Sequence, residues 1–195
     1  MLTAMGDIMR EAYKRGWITT RDGNISVRKS LDGNISNFVY ITPKGVRKTT
    51  IHPEHIIKVD IDSTDVGNVS TEYFMHRLLL LDATRTRSVV HLHPTYCVAA
   101  MHAGHDLSEI TKDFPELKRY TRVGFNVPFL EAGSHELAKF TNAAFRSYYP
   151  AKPLTVDIVG QVGHGVTAVG KNPWDAFEHI ERLEHICQIV MVSRR

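Results

Sequence analysis

The sequence predicts a mixed α/β sandwich in a single domain spanning 1–195, not a doubly wound parallel sheet. Three observations carry this. Short β-patterned segments cluster early in the chain and are separated by turn residues that suit antiparallel pairing. Helical patterns interleave with the later strands. No repeat, low-complexity tract or linker interrupts the 195 residues, a length sufficient for one well-buried core.

The elements follow in order. Leu2, Met5, Ile8, Met9 and Ala12 recur at helical spacing, so residues 2–16 read as an amphipathic helix closed by Gly16. Asn24–Arg28, Phe38–Thr42 and Ile56–Asp60 read as strands, with Asp32-Gly33 as a hairpin turn between the first two. Thr71 to about Thr84 reads as a helix with Ser70 or Thr71 as N-cap, and Glu72 falls in its first turn. Ser88–His93 reads as a buried strand, followed by a helix over Thr95–Ala103. Residues 104–133 read as irregular, with a short strand near Asn126–Phe129. Ser134 caps a helix to about Tyr148, Leu154–Gly160 and Val166–Val169 are strands, and Pro173 opens a final helix that runs nearly to Arg195.

Composition bounds the function. Hydrophobic residues make up 43% and charged residues 23%, as in a soluble globular protein. The net charge of +3 is spread along the chain, which argues against a nucleic-acid face or a membrane-binding helix. Asp7, Arg10 and Glu11 interrupt the N-terminal apolar pattern, so it does not read as a signal peptide. No apolar run approaches the roughly 20 residues that span a bilayer. Cys97 and Cys187 sit in apolar surroundings and read as buried free thiols, which points to the reducing cytoplasm.

The chain carries 11 histidines, and three of them stand out. In V-V-H-L-H-P, residues 89–94, His91 and His93 occupy positions i and i+2 of a strand and project to one face, as two ligands of one metal would. His164 lies between glycines in V-G-H-G-V, where the backbone can approach a site closely. Glu72 lies on a helix that leads into the H-x-H strand and can approach the same point. His76, one turn later on the same face, is either a ligand or the partner that holds one. Three imidazoles and a carboxylate suit zinc, which can polarise a ketone and stabilise an enediolate. Elsewhere, Gly23-Asn24 at a strand start, Lys44-Gly45 in I-T-P-K-G and Ser70-Thr71 near a helix start offer the small, donor-rich groups that bind a phosphate monoester.

The order of these pieces matters more than any one of them. G-N-I-S-V-R, I-T-P-K-G, S-T-E-x-x-x-H, V-V-H-L-H-P and G-H-G-V-x-x-V-G, in that sequence, resemble the class II aldolase/adducin superfamily over essentially the whole chain. The resemblance implies a central, mainly antiparallel sheet flanked by helices. It implies zinc held by His91, His93 and His164, and Glu72 as a ligand of the resting metal that becomes the acid/base. Gly23, Asn24, Lys44, Gly45, Ser70 and Thr71 fall on the phosphate pocket. The implied reaction is retro-aldol cleavage of a small phosphorylated sugar, a ketose 1-phosphate, in a homotetramer with interfacial active sites.

The chain also departs from the family pattern. The tyrosine that family aldolases contribute from a longer C-terminal segment has no counterpart, which leaves Tyr120 and Tyr73 as candidates for the proton donor. Lys44 stands where a small hydroxyl is usual. Residues 105–133 do not clearly match the best-known aldolase pattern and are where substrate selectivity is expected. Methylthioribulose-1-phosphate dehydration and sugar-acid-phosphate decarboxylation share the zinc site. Glu72, where 4-epimerases tend to carry Asp, weighs against epimerisation of a pentulose phosphate. The retained histidines weigh against a non-enzymatic adducin-like scaffold.

Overall fold

The computed structural model describes residues 1–31, 34–82, 86–147 and 153–193. Six strands form one sheet: β1 (Asn24–Leu31), β2 (Asn34–Ile41), β3 (Ile57–Asp60), β4 (Ser88–Leu92), β5 (Ile158–Gln161) and β6 (Gly165–Gly170). They lie in the order β3-β2-β1-β4-β6-β5, with every neighbouring pair antiparallel. The expected mixed architecture with a mainly antiparallel sheet is therefore the one observed. The Asp32-Gly33 turn lies outside the described residues.

Helices cover both faces of the sheet. Alternation along each strand sorts side chains between two cores. Ile25, Val27, Val90, Leu92, Val166 and Ala168 pack with α1 (Leu2–Lys14), α3 (Thr95–His102) and α7 (Pro173–Ser193). Val39, Ile41, Val89, Val159 and Val169 pack with α2 (Tyr73–Leu80) and α6 (His135–Phe145). Each fully buried aliphatic side chain, such as Ile25 or Leu92, contributes about 1.5–3 kcal/mol. The two-sided core explains why β4 is buried at all five positions, with apolar residues alternating towards both faces until His91 breaks the pattern.

Several boundaries differ from the sequence expectation. The α2 helix starts at Tyr73, with Glu72 at the N-cap position, so neither Ser70 nor Thr71 caps it and Glu72 precedes the first turn. Ser70 instead accepts a hydrogen bond from the Glu72 N–H through its Oγ (3.4 Å), which turns the chain just before the helix begins. The segment expected to be irregular contains two short helices, α4 (Leu107–Ile110) and α5 (Pro115–Tyr120). Asp106 caps the first, and Pro115 opens the second. The strand expected near Asn126–Phe129 is reduced to single parallel bridges, Val123 to Ile158 and Val127 to Gln161, beside the sheet edge. Ser134 caps α6 as expected, accepting from the Leu137 N–H (3.0 Å), but the helix ends at Phe145.

Candidate metal centre

Strand register builds the centre. Asn24 pairs with His91 across β1 and β4, and His91 pairs with Thr167 across β4 and β6. Because cross-strand partners project to one face, the three side chains form a polar row on the side covered by α2 and α6. His93 lies one residue past β4, and His164 lies in the turn between β5 and β6. Ligand-capable nitrogens of His91, His93 and His164 all fall within 4.8 Å of one another, with His91 Nε2 2.9 Å from His93 Nε2. The i, i+2 reading of the H-x-H pair holds even though the regular strand ends between the two.

Glu72 closes the fourth side. Its Oε2 lies 3.4 Å from His91 Nε2, and its Oε1 lies 3.6 Å from His164 Nε2. The carboxylate is 7% exposed. Oε2 accepts a hydrogen bond from Asn24 Nδ2 (2.6 Å), whereas Oε1 has no donor. Burial pushes the Glu72 carboxyl above its ordinary range, against the opposing pull of His164 and of the Asn24 hydrogen bond. Burial also lowers all three imidazoles, furthest for the fully buried His91, where neighbouring histidines add to the effect.

The polar groups behind His91 settle which of its nitrogens is bare. Gln161 Nε2 donates to Thr141 Oγ1 (2.9 Å), so Gln161 Oε1 is the acceptor and takes the Thr167 hydroxyl proton (3.1 Å). Thr167 Oγ1 then accepts from His91 Nδ1–H (3.1 Å). This assignment, made from the network, turns the His91 Nε2 lone pair toward His93 and Glu72. An imidazole lone pair and a carboxylate oxygen facing each other, with a donorless buried Oε1 alongside, form an acceptor-rich nook that suits a cation. The donor set, three nitrogens and one carboxylate, fits zinc and other divalent transition metals.

The β1 strand and α2 meet in a row of contacts. Asn24 reaches Glu72, Ser26 Oγ lies 2.6 Å from His76 Nδ1, and Arg28 Nη1 donates to the Leu80 carbonyl (3.0 Å). Two strand residues rise about 6.6 Å and four helix residues about 6.0 Å, so strand positions 24, 26 and 28 stay in step with helix positions 72, 76 and 80. His76 also meets Asn24 Oδ1 through Nε2. Burial lowers its pKa to about 3.

A cavity of about 180 Å³ opens above the centre. Gly23, Asn24, Lys44, Gly45, Ser70, Thr71, Glu72, His93 and His164 line it, so the structure brings together all six residues of the expected phosphate pocket. Gly23 (φ 69°) needs its missing side chain, because a Cβ there would lie 2.9 Å from Ile18 and 3.1 Å from the His91 carbonyl oxygen. The lining also includes groups that were not foreseen, among them Arg21, Asp22, Lys48, Ala132 and Gly133. Arg21 Nη1 holds the Gly45 carbonyl (2.9 Å), buried Lys48 Nζ holds that of Pro43 (3.2 Å), and Gly133 packs beside Thr71.

Neither tyrosine suggested as a proton donor lies at this cavity. Tyr120 is 52% exposed and lines a separate cavity with Arg119 and Arg122. Tyr73, the first residue of α2, is buried in the core between α2 and the sheet. Within one chain, then, neither reaches the histidine cluster. No helix among the described residues is long and apolar enough to cross a membrane. Cys97 and Cys187 are free and buried.

Comparisons with known proteins point to one family. The chain is 28% identical over 189 residues to L-fuculose phosphate aldolase of Methanococcus maripaludis, covering 96% of this chain and 94% of that protein. It is 27% identical over 195 residues to methylthioribulose-1-phosphate dehydratase of a Bradyrhizobium species, covering 95% and 88%. The crystal structure of L-fuculose-1-phosphate aldolase from Thermus thermophilus superposes with a TM-score of 0.78 at 23% identity, covering 99% of this chain and 94% of that one, which shows the shared fold. The family model described as class II aldolase and adducin N-terminal domain matches residues 3–191. With the sheet, the three gathered histidines and a match of that length, the chain belongs to the class II aldolase and adducin family.

Proposed function

We propose that the protein is a zinc-dependent aldolase that cleaves a ketose 1-phosphate to dihydroxyacetone phosphate and an aldehyde. The observation that carries this reading is Glu72 Oε1, a buried carboxylate oxygen without a donor, beside three gathered imidazoles at a polar cavity whose lining includes Arg21, Lys44 and Lys48 together with Asp22. His91, His93 and His164 would hold the metal, with Glu72 beside them. When bound, the ion supplies Lewis-acid stabilisation of negative charge developing on substrate oxygens.

The chain's own groups account for the rest. Lys44 and Ser70 N–H groups are committed to the Asn68 and Thr42 carbonyls. Phosphate recognition then falls to the Gly45 and Thr71 backbone, the Ser70 and Thr71 hydroxyls and the Lys44 ammonium. That grip supplies binding energy away from the reacting bond. Glu72 carries a proton at Oε1 during cleavage, aided by burial, which favours its protonated form. The exposed rings of Phe125 and Phe129 support a homotetramer with interfacial sites, since Phe129 lies against Gly163, next to His164. The free, buried thiols support a cytoplasmic location.

A panel of ketose 1-phosphates headed by L-fuculose 1-phosphate tests this reading, with dihydroxyacetone phosphate as the expected product. Glu72→Gln is expected to lower the rate by about 10²–10⁴-fold. The dehydratase relative favours one second reading, dehydration of methylthioribulose 1-phosphate. Turnover of that substrate with loss of water, and no dihydroxyacetone phosphate from any ketose, would establish it instead.

A further inference from the structure

The contacts between β1 and α2 have a direction. Glu72 Oε2 is a carboxylate oxygen and accepts, so Asn24 presents Nδ2 to Glu72 and Oδ1 to His76. An amide oxygen accepts in turn, so His76 Nε2 carries the proton. His76 is fully buried and neutral, which leaves Nδ1 bare to accept from the Ser26 hydroxyl. We propose that Ser26, His76 and Asn24 form a chain of positioning residues that fixes one oxygen of Glu72 and thereby presents the other to the histidine cluster. The proposal rests on the reading of Glu72 as the proton carrier.

The contact between His76 and Asn24 removes an ambiguity of orientation. An isolated asparagine amide can turn over and set its oxygen against the carboxylate. The His76 N–H forbids this, because a turned amide would place two donors together and two acceptors together. With Nε2 protonated, His76 Nδ1 accepts from the Ser26 hydroxyl, which turns to donate and anchors the ring. Buried donors and acceptors left in conflict are expensive, so a small local preference becomes a fixed orientation. Asn24, grouped with the phosphate pocket by sequence, has its amide committed to Glu72 and His76 and acts through the carboxylate.

Histidine-selective 15N NMR on the full-length, zinc-loaded protein tests the chain directly. His76 is expected as the neutral tautomer protonated at Nε2, and a neutral form protonated at Nδ1, or an imidazolium, overturns the proposal. His76→Phe keeps a ring but removes both nitrogens. With L-fuculose 1-phosphate as substrate, it is expected to lower kcat about 10–100-fold while leaving zinc content unchanged and KM within about twofold. His76→Gln, whose amide can donate to Asn24, is expected to recover part of the loss. A His76→Phe protein that melts like wild type and keeps wild-type kcat also overturns the chain. If His76→Phe fails to fold, the tautomer of the wild-type protein still decides. If wild type cleaves no ketose 1-phosphate, the functional reading fails, while the NMR result separately decides the positioning chain.

Discussion

Asn24 and His91 face each other across β1 and β4, and two polar networks diverge from that pair. One runs from Asn24 to Glu72 and His76. The other runs from His91 through Thr167 and Gln161 to Thr141. The first shapes the carboxylate side of the centre and the second the imidazole side.

Metal content should depend on the H-x-H pair. The double variant His91→Ala/His93→Ala removes two of three gathered nitrogens and is expected to lose its bound metal, measured by elemental analysis. Because a ligand that binds only the folded state stabilises it, chelator treatment should lower the melting temperature of wild type and leave the double variant unchanged. Full metal retention in the double variant would sink the site assignment.

Thr167→Val tests the imidazole side. The variant keeps the side-chain shape, removes the group that holds His91 Nδ1 and leaves Gln161 Oε1 without its donor. Metal affinity is expected to fall about 10–100-fold. Stability is expected to fall by about 1–3 kcal/mol from the unpaired amide oxygen. Zinc titration and urea unfolding read the two effects, and unchanged zinc affinity would show that Thr167 does not orient the ring.

Acid should destabilise the metal-free protein. His76 titrates at about 3 when folded, against 6.5 for the free side chain. Above the unfolded value both states hold it neutral and it has no effect. Below that value the unfolded chain takes up a proton that the folded chain refuses, so stability falls with falling pH, by up to about 1.4 kcal/mol per unit, until the folded value is reached. His91, His93, His164 and His179 are also lowered, with burial the largest cause, and act with the same sign. Urea unfolding between about pH 7 and 5 measures the slope, and His76→Gln should flatten it. Stability that rises toward acid would contradict the buried neutral histidines.

Lys44 is exposed on the rim of the cavity, and no side-chain role in the fold is evident for it. Lys44→Gln is expected to raise KM for a phosphorylated substrate about 10–100-fold, the worth of a charge-assisted hydrogen bond, with kcat little changed. Steady-state kinetics decide the point, and an unaltered KM would place the ammonium in solvent.

The sequence exposed the centre because its ligands obey local rules. His91 and His93 follow the two-residue strand period, and His164 is marked by flanking glycines. The supporting residues were hidden because they look ordinary. Thr167 and Gln161 are polar residues on strands, and only the register that aligns them with His91 gives them meaning. Their signal was available as inward polar positions between apolar neighbours in G-V-T-A-V and I-V-G-Q. Gly133 reaches Thr71 through a long-range return of the chain that no local pattern encodes. By contrast, α4 and α5 carried legible start signals in Asp106 and Pro115, weakened by helices of only 4 and 6 residues.

The matched pitch of β1 against α2 also limits how this chain can change in length. Inserting one residue between positions 24 and 28 would send the following strand side chains to the opposite face. Inserting one between 72 and 80 would swing the later helix contacts round by about 100°. Either event would unmesh Asn24–Glu72, Ser26–His76 and Arg28–Leu80 from one another at once. Insertions and deletions must therefore be absorbed in the connections, while these two short stretches act as a ratchet that keeps the carboxylate indexed to the histidines.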